Sequence, residues 1–517
     1  MTEQTTPNPP SEVEAALRGG RAYNFAVVLD RAVQRFPDRV ALVEGHERLT
    51  YRELAQRVHA VAAWLTKQGV GAGDRVGAVL TNRKEFLEVF FGVLRLGGVF
   101  VPINFRLAGP ELAYIVEHSG LRVLFGEAPQ LARLEGRTPL GVQVMQVPSE
   151  EYEELATPGP EVPLAPRGEF DLQRIMYTSG TTGHPKGVMI HHGAVWWKCL
   201  NQIVEFGLHA DEVFLASGPL YHVGTLDLPG VGVLLQGGRI VILPQFDPVQ
   251  VLKTIEAERV TCTFLAPSMM NRLLAEATFE QHDRSSLRVI IDGSEKMPAS
   301  LLERIPAAFP HSHFFDGFGM TETVTSDTFL PPRRLEEKLG SVGTETATME
   351  VRVVDDEDRD VPAGEVGELL VRGPKLCLGY WRDPEATSKS FRNGWFHTGD
   401  MAIRDEDGDI TIVDRKKDMI KSGGENIASV EIERVLYAHP DVLEAAVVAR
   451  SDETWGEAPV AFVAPADGVE LDQAALEAFC REQLAGFKVP KQFLTVDALP
   501  RNPSGKVLKR ELRARVE

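Results

Sequence analysis

Cysteine is scarce in this chain. Four occur in 517 residues, Cys199, Cys262, Cys377 and Cys480, far apart and without a CxxC pair. That spacing argues against a disulfide framework or a zinc site and favours the reduced thiols of a cytoplasmic protein. Long hydrophobic runs are missing too: no stretch of about 18 apolar residues occurs, so no transmembrane helix is expected. Residues 1–11 are polar and Pro-rich with no apolar segment, unlike a secretory signal, and residues 1–22 read as a flexible tail. Positive charge is in deficit, 55 Lys and Arg against 74 Asp and Glu for a net −19, so nothing favours nucleic acid as a partner. Internal repeats and low-complexity tracts are also lacking.

What is present reads as a globular protein of two or more domains. A chain of 517 residues is too long for one compact core, and 43% hydrophobic with 25% charged residues fits a folded protein in water. Helix and strand signals alternate, which predicts α/β layering. Residues 50–69 carry the clearest helix: Thr50 and Glu53 form a capping box, Leu54, Val58, Val61 and Leu65 make one apolar stripe, and Gly69 stands where a glycine ends a helix. An apolar run at 76–80 follows, then a helix at 85–96 and a short strand at 99–101. A Pro-, Glu- and Ala-rich loop at 156–166 precedes a strand at 173–177. Segments 349–354, 368–371 and 409–413 read as strands separated by acidic Gly turns. Towards the C-terminus Ser429 is expected to cap a helix through 438. Strands fall at 443–448 and 460–463, and Leu476, Phe479, Cys480 and Leu484 stripe a helix ending at Gly486. That predicts a small α+β unit, with its boundary near 415–418.

The most informative stretch is Tyr177-Thr178-Ser179-Gly180-Thr181-Thr182-Gly183-His184-Pro185-Lys186-Gly187. Its glycines allow backbone N–H groups to approach an anion closely, its hydroxyls add donors, and Lys186 adds charge. It follows a strand-like apolar run, as a phosphate loop does. It is not a Walker A loop, because Lys186 follows Pro185 and precedes Gly187 rather than Ser or Thr. An ordinary flexible Gly/Thr loop is the competing reading of the segment alone.

This loop closely resembles the signature of the adenylate-forming superfamily, which contains acyl-CoA synthetases, firefly luciferase and the adenylation domains of nonribosomal peptide synthetases. Further motifs follow in the expected order along nearly the whole chain. The resemblance implies an α/β adenylate-forming fold: a large N-terminal domain, 23–415, of β-sheets flanked by helices plus a β-barrel-like part, and a small, mobile α+β C-terminal domain, 416–517. It implies ATP and Mg²⁺ as cofactors, coenzyme A as co-substrate and a small carboxylic acid as substrate, with a homodimer as the family-based expectation. A carrier protein supplying the thiol in trans is the alternative acceptor, and a non-catalytic nucleotide-binding homologue is a second alternative.

Several candidate residues follow from the motifs. Asp316-Gly317-Phe318-Gly319-Met320-Thr321-Glu322-Thr323 combines glycines, an aromatic ring suited to stacking on a base, a hydroxyl and a carboxylate suited to a hard cation. The resemblance puts Asp316 near the adenine amino group, Thr321 on the phosphates and Glu322 on the metal, with Phe318 where relatives usually have Tyr. Ser294 and Glu295, in Asp292-Gly293-Ser294-Glu295-Lys296, stand at the adenine-side segment, where Glu295 and Lys296 read equally well as a surface charge pair. Asp400, after Thr398-Gly399, reads alone as a turn residue; the resemblance gives it the ribose hydroxyls. In the run 414–426 the basic residues alone suggest a solvated face, whereas the resemblance gives Arg415 the ribose or phosphate, Lys417 the hinge, and Gly423 and Gly424 the pantetheine passage. Lys506, on a Pro/Gly-framed loop, matches the lysine that catalyses adenylation, offsetting charge as the P–O bond forms. The resemblance puts His222, in Pro219-Leu220-Tyr221-His222-Val223-Gly224, beside the acid carboxylate. No ammonium-binding Asp is found at that place, which argues against an α-amino acid. Asp227 either faces the acid or caps a helix. The acid pocket is sought among 222–230, 264–269 and 293–321.

Overall fold

The computed structural model describes residues 23–178, 185–293, 297–422, 425–452, 454–466, 468–501 and 507–517, with the side chains of 299, 300, 425 and 426 outside the description. The chain forms two compact units. One holds the chain through Glu336 together with Glu345–Met349 and Arg372–Phe391; the other holds Glu337–Thr344, Glu350–Val371 and Arg392–Glu517. No single cut in the sequence separates them, because the chain passes from one to the other and back.

The first unit is built on two largely parallel sheets. In a six-stranded sheet Gln143–Gln146, Leu121–Gly126, Arg75–Val79, Val99–Pro102 and Leu172–Thr178 run parallel, and Lys186–His191 closes the edge as an antiparallel hairpin partner of Leu172–Thr178. In a nine-stranded sheet the strands His313–Phe318, Val289–Ile291, Cys262–Phe264, Val213–Ala216, Arg239–Ile242 and Val40–Glu44 run parallel in that order. Antiparallel Thr328–Leu330 and Glu47–Thr50 pair with the first and last of them. The central parallel strands are short apolar runs buried on both faces, as parallel strands under helices must be, whereas the edge strands Gln143–Gln146 and Glu47–Thr50 are more polar and more exposed.

The helix expected at 50–69 spans Tyr51–Lys67. The Thr50 N–H donates to Glu53 Oε2 at 2.8 Å and the Glu53 N–H to Thr50 Oγ1 at 3.2 Å, so the capping box is closed. Leu54, Val58, Val61 and Leu65 are all buried, and Gly69 takes φ +75°. The helix Lys84–Arg95 packs beside it, and Gly92 lets the two approach: a Cβ there would stand 2.8 Å from Val61 Cγ1. Lys84–Arg95 is buried almost all round. Its Glu88 is held by Arg57 Nε at 2.6 Å and by the Tyr152 hydroxyl at 2.7 Å, which offsets the cost of burying a carboxylate.

In the second unit, Val366–Arg372, Trp395–Arg404 and Ile410–Arg415 form an antiparallel run. A separate sheet joins Glu425–Ile427, Ile420–Ser422, Gly456–Pro465, Val442–Asp452 and Gln492–Thr495. The helices Ser429–Tyr437 and Gln473–Gln483 cover it through Ile432, Leu436, Leu476 and Cys480. Ser429 is not the helix cap expected from sequence. It is the first helical residue, and its N–H and hydroxyl both donate to Asp414 Oδ2, at 2.7 and 2.5 Å.

Candidate active site

Parallel strands collect their C-terminal ends along one edge of a sheet, and loops leaving that edge form the usual ligand crevice. In the nine-stranded sheet, four neighbouring strands deliver the sequence-marked segments there. Val213–Ala216 leads into the segment ending at His222, Cys262–Phe264 ends on Phe264, Val289–Ile291 leads to Asp292 and Gly293, and His313–Phe318 carries Asp316, Gly317 and Phe318.

His222 caps the short helix Val223–Thr225, its Nδ1 accepting the Gly224 N–H at 3.1 Å. The Phe264 ring, buried at 6% exposure, is bordered by glycines: a Cβ on Gly224 would stand 3.2 Å from its Cε1 and Cζ, one on Gly293 3.9 Å from Cε2, and one on Gly218 4.0 Å from Cδ1. A flat ring faced by bare backbone makes a thin apolar wall. Asp227 fits neither sequence expectation. It lies within the wide helical turn Leu226–Gly230, fully buried, with its Oδ1 2.7 Å from Arg174 Nη2 and 3.4 Å from Lys198 Nζ. Two buried cations hold this carboxylate in the core.

In the motif at 316–323, Asp316, Gly317 and Phe318 pair with Leu330, Phe329 and Thr328. The glycines are steric necessities. A Cβ on Gly317 would stand 2.4 Å from Phe329 Cδ1, and one on Gly319 2.6 Å from the Ser326 nitrogen. The Met320 N–H donates to Thr323 Oγ1 at 3.1 Å, which starts the 3₁₀ turn Thr321–Thr323. Glu322 is 8% exposed; its main-chain oxygen accepts the Cys377 N–H at 2.7 Å and its Oε1 accepts the Tyr380 hydroxyl at 2.9 Å. Burial first, and then the Glu322 carboxylate, raise the Tyr380 phenol pKa, keeping it a donor. Among the described residues no Lys or Arg pairs with Glu322. A nearly buried carboxylate without a cation suits a divalent metal, so the residues present fit Mg²⁺.

Thr178 and Lys186, at the two ends of the phosphate loop, are register partners across the hairpin. The Lys186 ammonium lies 5.0 Å from the centroid of the Tyr380 ring. The segment carrying Tyr380 is stitched to this hairpin as well, with the Leu378 N–H donating to Met189 O at 2.8 Å and the Trp381 N–H to Gly187 O at 2.7 Å. Lys186 and Glu322 therefore meet on the two faces of one side chain's chemistry, its ring and its hydroxyl.

In the second unit, Asp400 and Arg415 are register partners, with Arg415 Nε 2.6 Å from Asp400 Oδ1 and the Asp400 N–H donating to Thr398 Oγ1 at 3.0 Å. Lys417 is exposed, and its main-chain oxygen accepts from Arg513 Nη2 at 3.3 Å. Arg513 also pairs with Asp418. Ser179, Gly180, Thr181, Thr182, Gly183, Ser294, Glu295, Gly423, Gly424 and Lys506 lie outside the described residues. Tyr380 was missed in the sequence. Its partner Glu322 is 58 residues away, and no local pattern joins them.

The AMP-binding enzyme family model matches residues 29–381, and the AMP-binding enzyme C-terminal domain matches 431–506. The chain is 41% identical over 485 residues to a feruloyl-CoA synthase of an Amycolatopsis species, covering 94% of this chain and 97% of that one. It is 36% identical over 495 residues to an indoleacetate–CoA ligase of Aromatoleum aromaticum, covering 94% and 96%. Among solved structures it resembles the o-succinylbenzoate CoA synthetase of Bacillus subtilis. With the acyl-adenylate intermediate bound, that enzyme gives a TM-score of 0.87 at 31% identity over 94% of this chain and 97% of that one. With ATP and a magnesium ion it gives 0.86 at 30%, over 95% and 98%. The two family models, matching 29–381 and 431–506, and relatives identical at 36–41% over nearly the whole chain lead to one assignment: the chain belongs to the AMP-binding enzyme family.

Proposed function

We propose that this protein is an AMP-forming acid–CoA ligase whose acid carries an aromatic ring. The observation that carries this reading is the convergence, at the C-terminal ends of neighbouring parallel strands, of an acid-side wall made by Phe264 and bare glycines with the nucleotide motif ending in Thr321 and Glu322. The flat ring beside Gly224 and Gly293 suits a planar acid, and the relatives above act on ring-bearing acids.

In this reading the carboxylate oxygen attacks the α-phosphorus of ATP, the bond to pyrophosphate breaks, and an acyl-adenylate forms. The thiol sulfur of coenzyme A then attacks the acyl carbonyl and AMP leaves. Thr178, the loop 179–183 and Lys186 hold the phosphates, with Thr321. Asp316, Ser294 and Glu295 border the adenine. Asp400 accepts from the ribose hydroxyls, and Arg415 contacts ribose or phosphate. His222 lies beside the acid carboxylate. Glu322 would hold Mg²⁺, which when bound would supply charge neutralisation for the pyrophosphate leaving group. Lys506 offsets charge in the first half-reaction; rotation of the C-terminal domain, 416–517, at Lys417 withdraws it and brings Gly423 and Gly424 to the pantetheine arm. All four cysteines are free and buried, which suits a reducing cytoplasm.

The test is AMP release with ATP, Mg²⁺ and a panel of acids, with and without coenzyme A. Turnover of aryl acids that needs coenzyme A and yields the acyl-CoA upholds the reading. Pyrophosphate exchange that coenzyme A never accelerates would transfer the second step to a carrier-protein thiol, and aliphatic acids outrunning aryl ones would sink the ring preference.

A further inference from the structure

Immediately after Glu322 and Thr323 the backbone is strained. Val324, Thr325 and Ser326 take φ of +52°, +61° and +63°, three consecutive left-handed residues without a glycine among them. A left-handed conformation is unfavourable for any residue but glycine, and for β-branched Val and Thr it is a true outlier. Such a turn persists only where its surroundings over-determine it.

The over-determination comes from Lys375. Its side chain is fully buried, and its ammonium donates to Thr323 O at 3.0 Å, to Thr325 O at 2.6 Å and to Asp327 Oδ1. That uses all three donors of the group. Asp327, equally buried, takes the Thr323 hydroxyl on its other oxygen. Thr346 closes the far side, its N–H donating to Asp327 O at 2.9 Å and its hydroxyl to Ser326 O at 3.1 Å. The segment carrying Lys375 is the one whose Cys377 N–H and Tyr380 hydroxyl hold Glu322. A buried ammonium thus does for this turn what a structural cation does for a loop, gathering carbonyls that would otherwise repel.

We propose that Lys375 is a positioning residue for ATP and Mg²⁺: by locking the left-handed turn 324–326 it holds Thr321 and Glu322 in the register the nucleotide and metal require. This rests on the reading that Thr321 and Glu322 bind them. Loss of the ammonium frees the turn to relax to negative φ, which would rotate Thr323 and everything it caps.

The test compares wild type with Lys375→Met, Lys375→Arg, Lys375→Met/Asp327→Asn and Glu322→Gln. The readouts are calorimetric Kd for ATP, the Mg²⁺ concentration giving half-maximal pyrophosphate exchange, the melting temperature, and thioester formation from supplied acyl-adenylate. Lys375→Met is expected to weaken ATP binding at least tenfold and raise the Mg²⁺ requirement, with thioester formation from acyl-adenylate within twofold of wild type. The double variant should recover melting temperature without recovering ATP affinity, and Lys375→Arg should recover part of both. A folded Lys375→Met with wild-type Kd and Mg²⁺ requirement overturns the proposal, as does a loss of melting temperature alone. If Lys375→Met fails to fold, Thr323→Val serves in its place. It cuts the hydroxyl link to Asp327, and a shift in the same direction supports the proposal while an unchanged Kd overturns it. Wild-type behaviour of Glu322→Gln would instead overturn the metal-site reading itself, whatever Lys375 does.

Discussion

The Tyr380 hydroxyl donates to Glu322 Oε1 at 2.9 Å while the ammonium of Lys186 sits 5.0 Å from the same ring's centroid. One residue therefore fixes a carboxylate suited to the metal and steadies a cation suited to phosphate. Tyr380→Phe keeps the ring and its attraction for Lys186 but deletes the donor. A hydrogen bond to a charged group contributes about 1.5–3 kcal/mol, so the Mg²⁺ concentration for half-maximal exchange should rise about tenfold, with the Kd for Mg-free ATP little changed. A magnesium titration of pyrophosphate exchange measures this.

Gly224→Ala probes the acid side. Its Cβ would press on the Phe264 ring at 3.2 Å, tighter than a ring normally accepts, so the ring must give by a few tenths of an ångström and reshape the wall proposed to face the acid. The KM for aryl acids should rise about tenfold, worth about 1.4 kcal/mol, while the KM for ATP stays put. Steady-state kinetics over a set of acids of graded width would show it; an equal rise in both KM values would point to general damage instead.

The buried ions around Asp227 predict an order of stabilities. Asp227→Leu strands Arg174 and Lys198 together without a counter-charge, whereas Arg174→Leu leaves Asp227 one partner. The first should cost about 3–5 kcal/mol of unfolding free energy and the second less. Urea denaturation, read by fluorescence, distinguishes the two.

His192 predicts a pH dependence. Burial lowers its pKa to about 3, with the Arg167 charge adding to the effect, and its Nδ1 accepts the Phe25 N–H at 3.2 Å. The unfolded side chain titrates near 6.5. Above that value neither state binds the proton and His192 contributes no slope. Below it the unfolded chain takes up a proton that the native state refuses until about pH 3, so stability falls as the pH falls. His192→Asn, which can still accept from Phe25, should lose about 1 kcal/mol less than wild type between roughly pH 7 and 5.5. Urea midpoints at the two pH values check it.

Local features were legible in the sequence. The Thr50–Glu53 box fixed a helix start because both partners lie within one turn. The motif at 316–323 declared its glycines, and the structure supplies the reason, backbone pressed against Gly319. Strands at 76–80, 99–101 and 173–177 fell within two residues of their observed ends, their apolar runs being bounded by polar turns. Illegible were the pairs joined only by the fold. Arg174 and Asp227 are 53 residues apart, and Lys375 and Asp327 are 48 apart. In sequence each charge looks solvent-facing, and only the packing shows that it is buried and spoken for. Asp227 was misjudged for that reason, and Ser429 because its real partner, Asp414, lies upstream of the helix it was thought to cap.

The return of residues Arg372–Phe391 to the first unit has a bearing on biosynthesis. The stretch that braces Glu322 and the Lys186 hairpin is the last of that unit to leave the ribosome, following 350–371, which belongs to the other unit. The framework around Glu322 and Lys186 is thus complete only once about three-quarters of the polypeptide has been translated. A chain ending before residue 372 would carry the motifs at 177–187 and 316–323 without the segment whose Tyr380 holds Glu322 and faces Lys186.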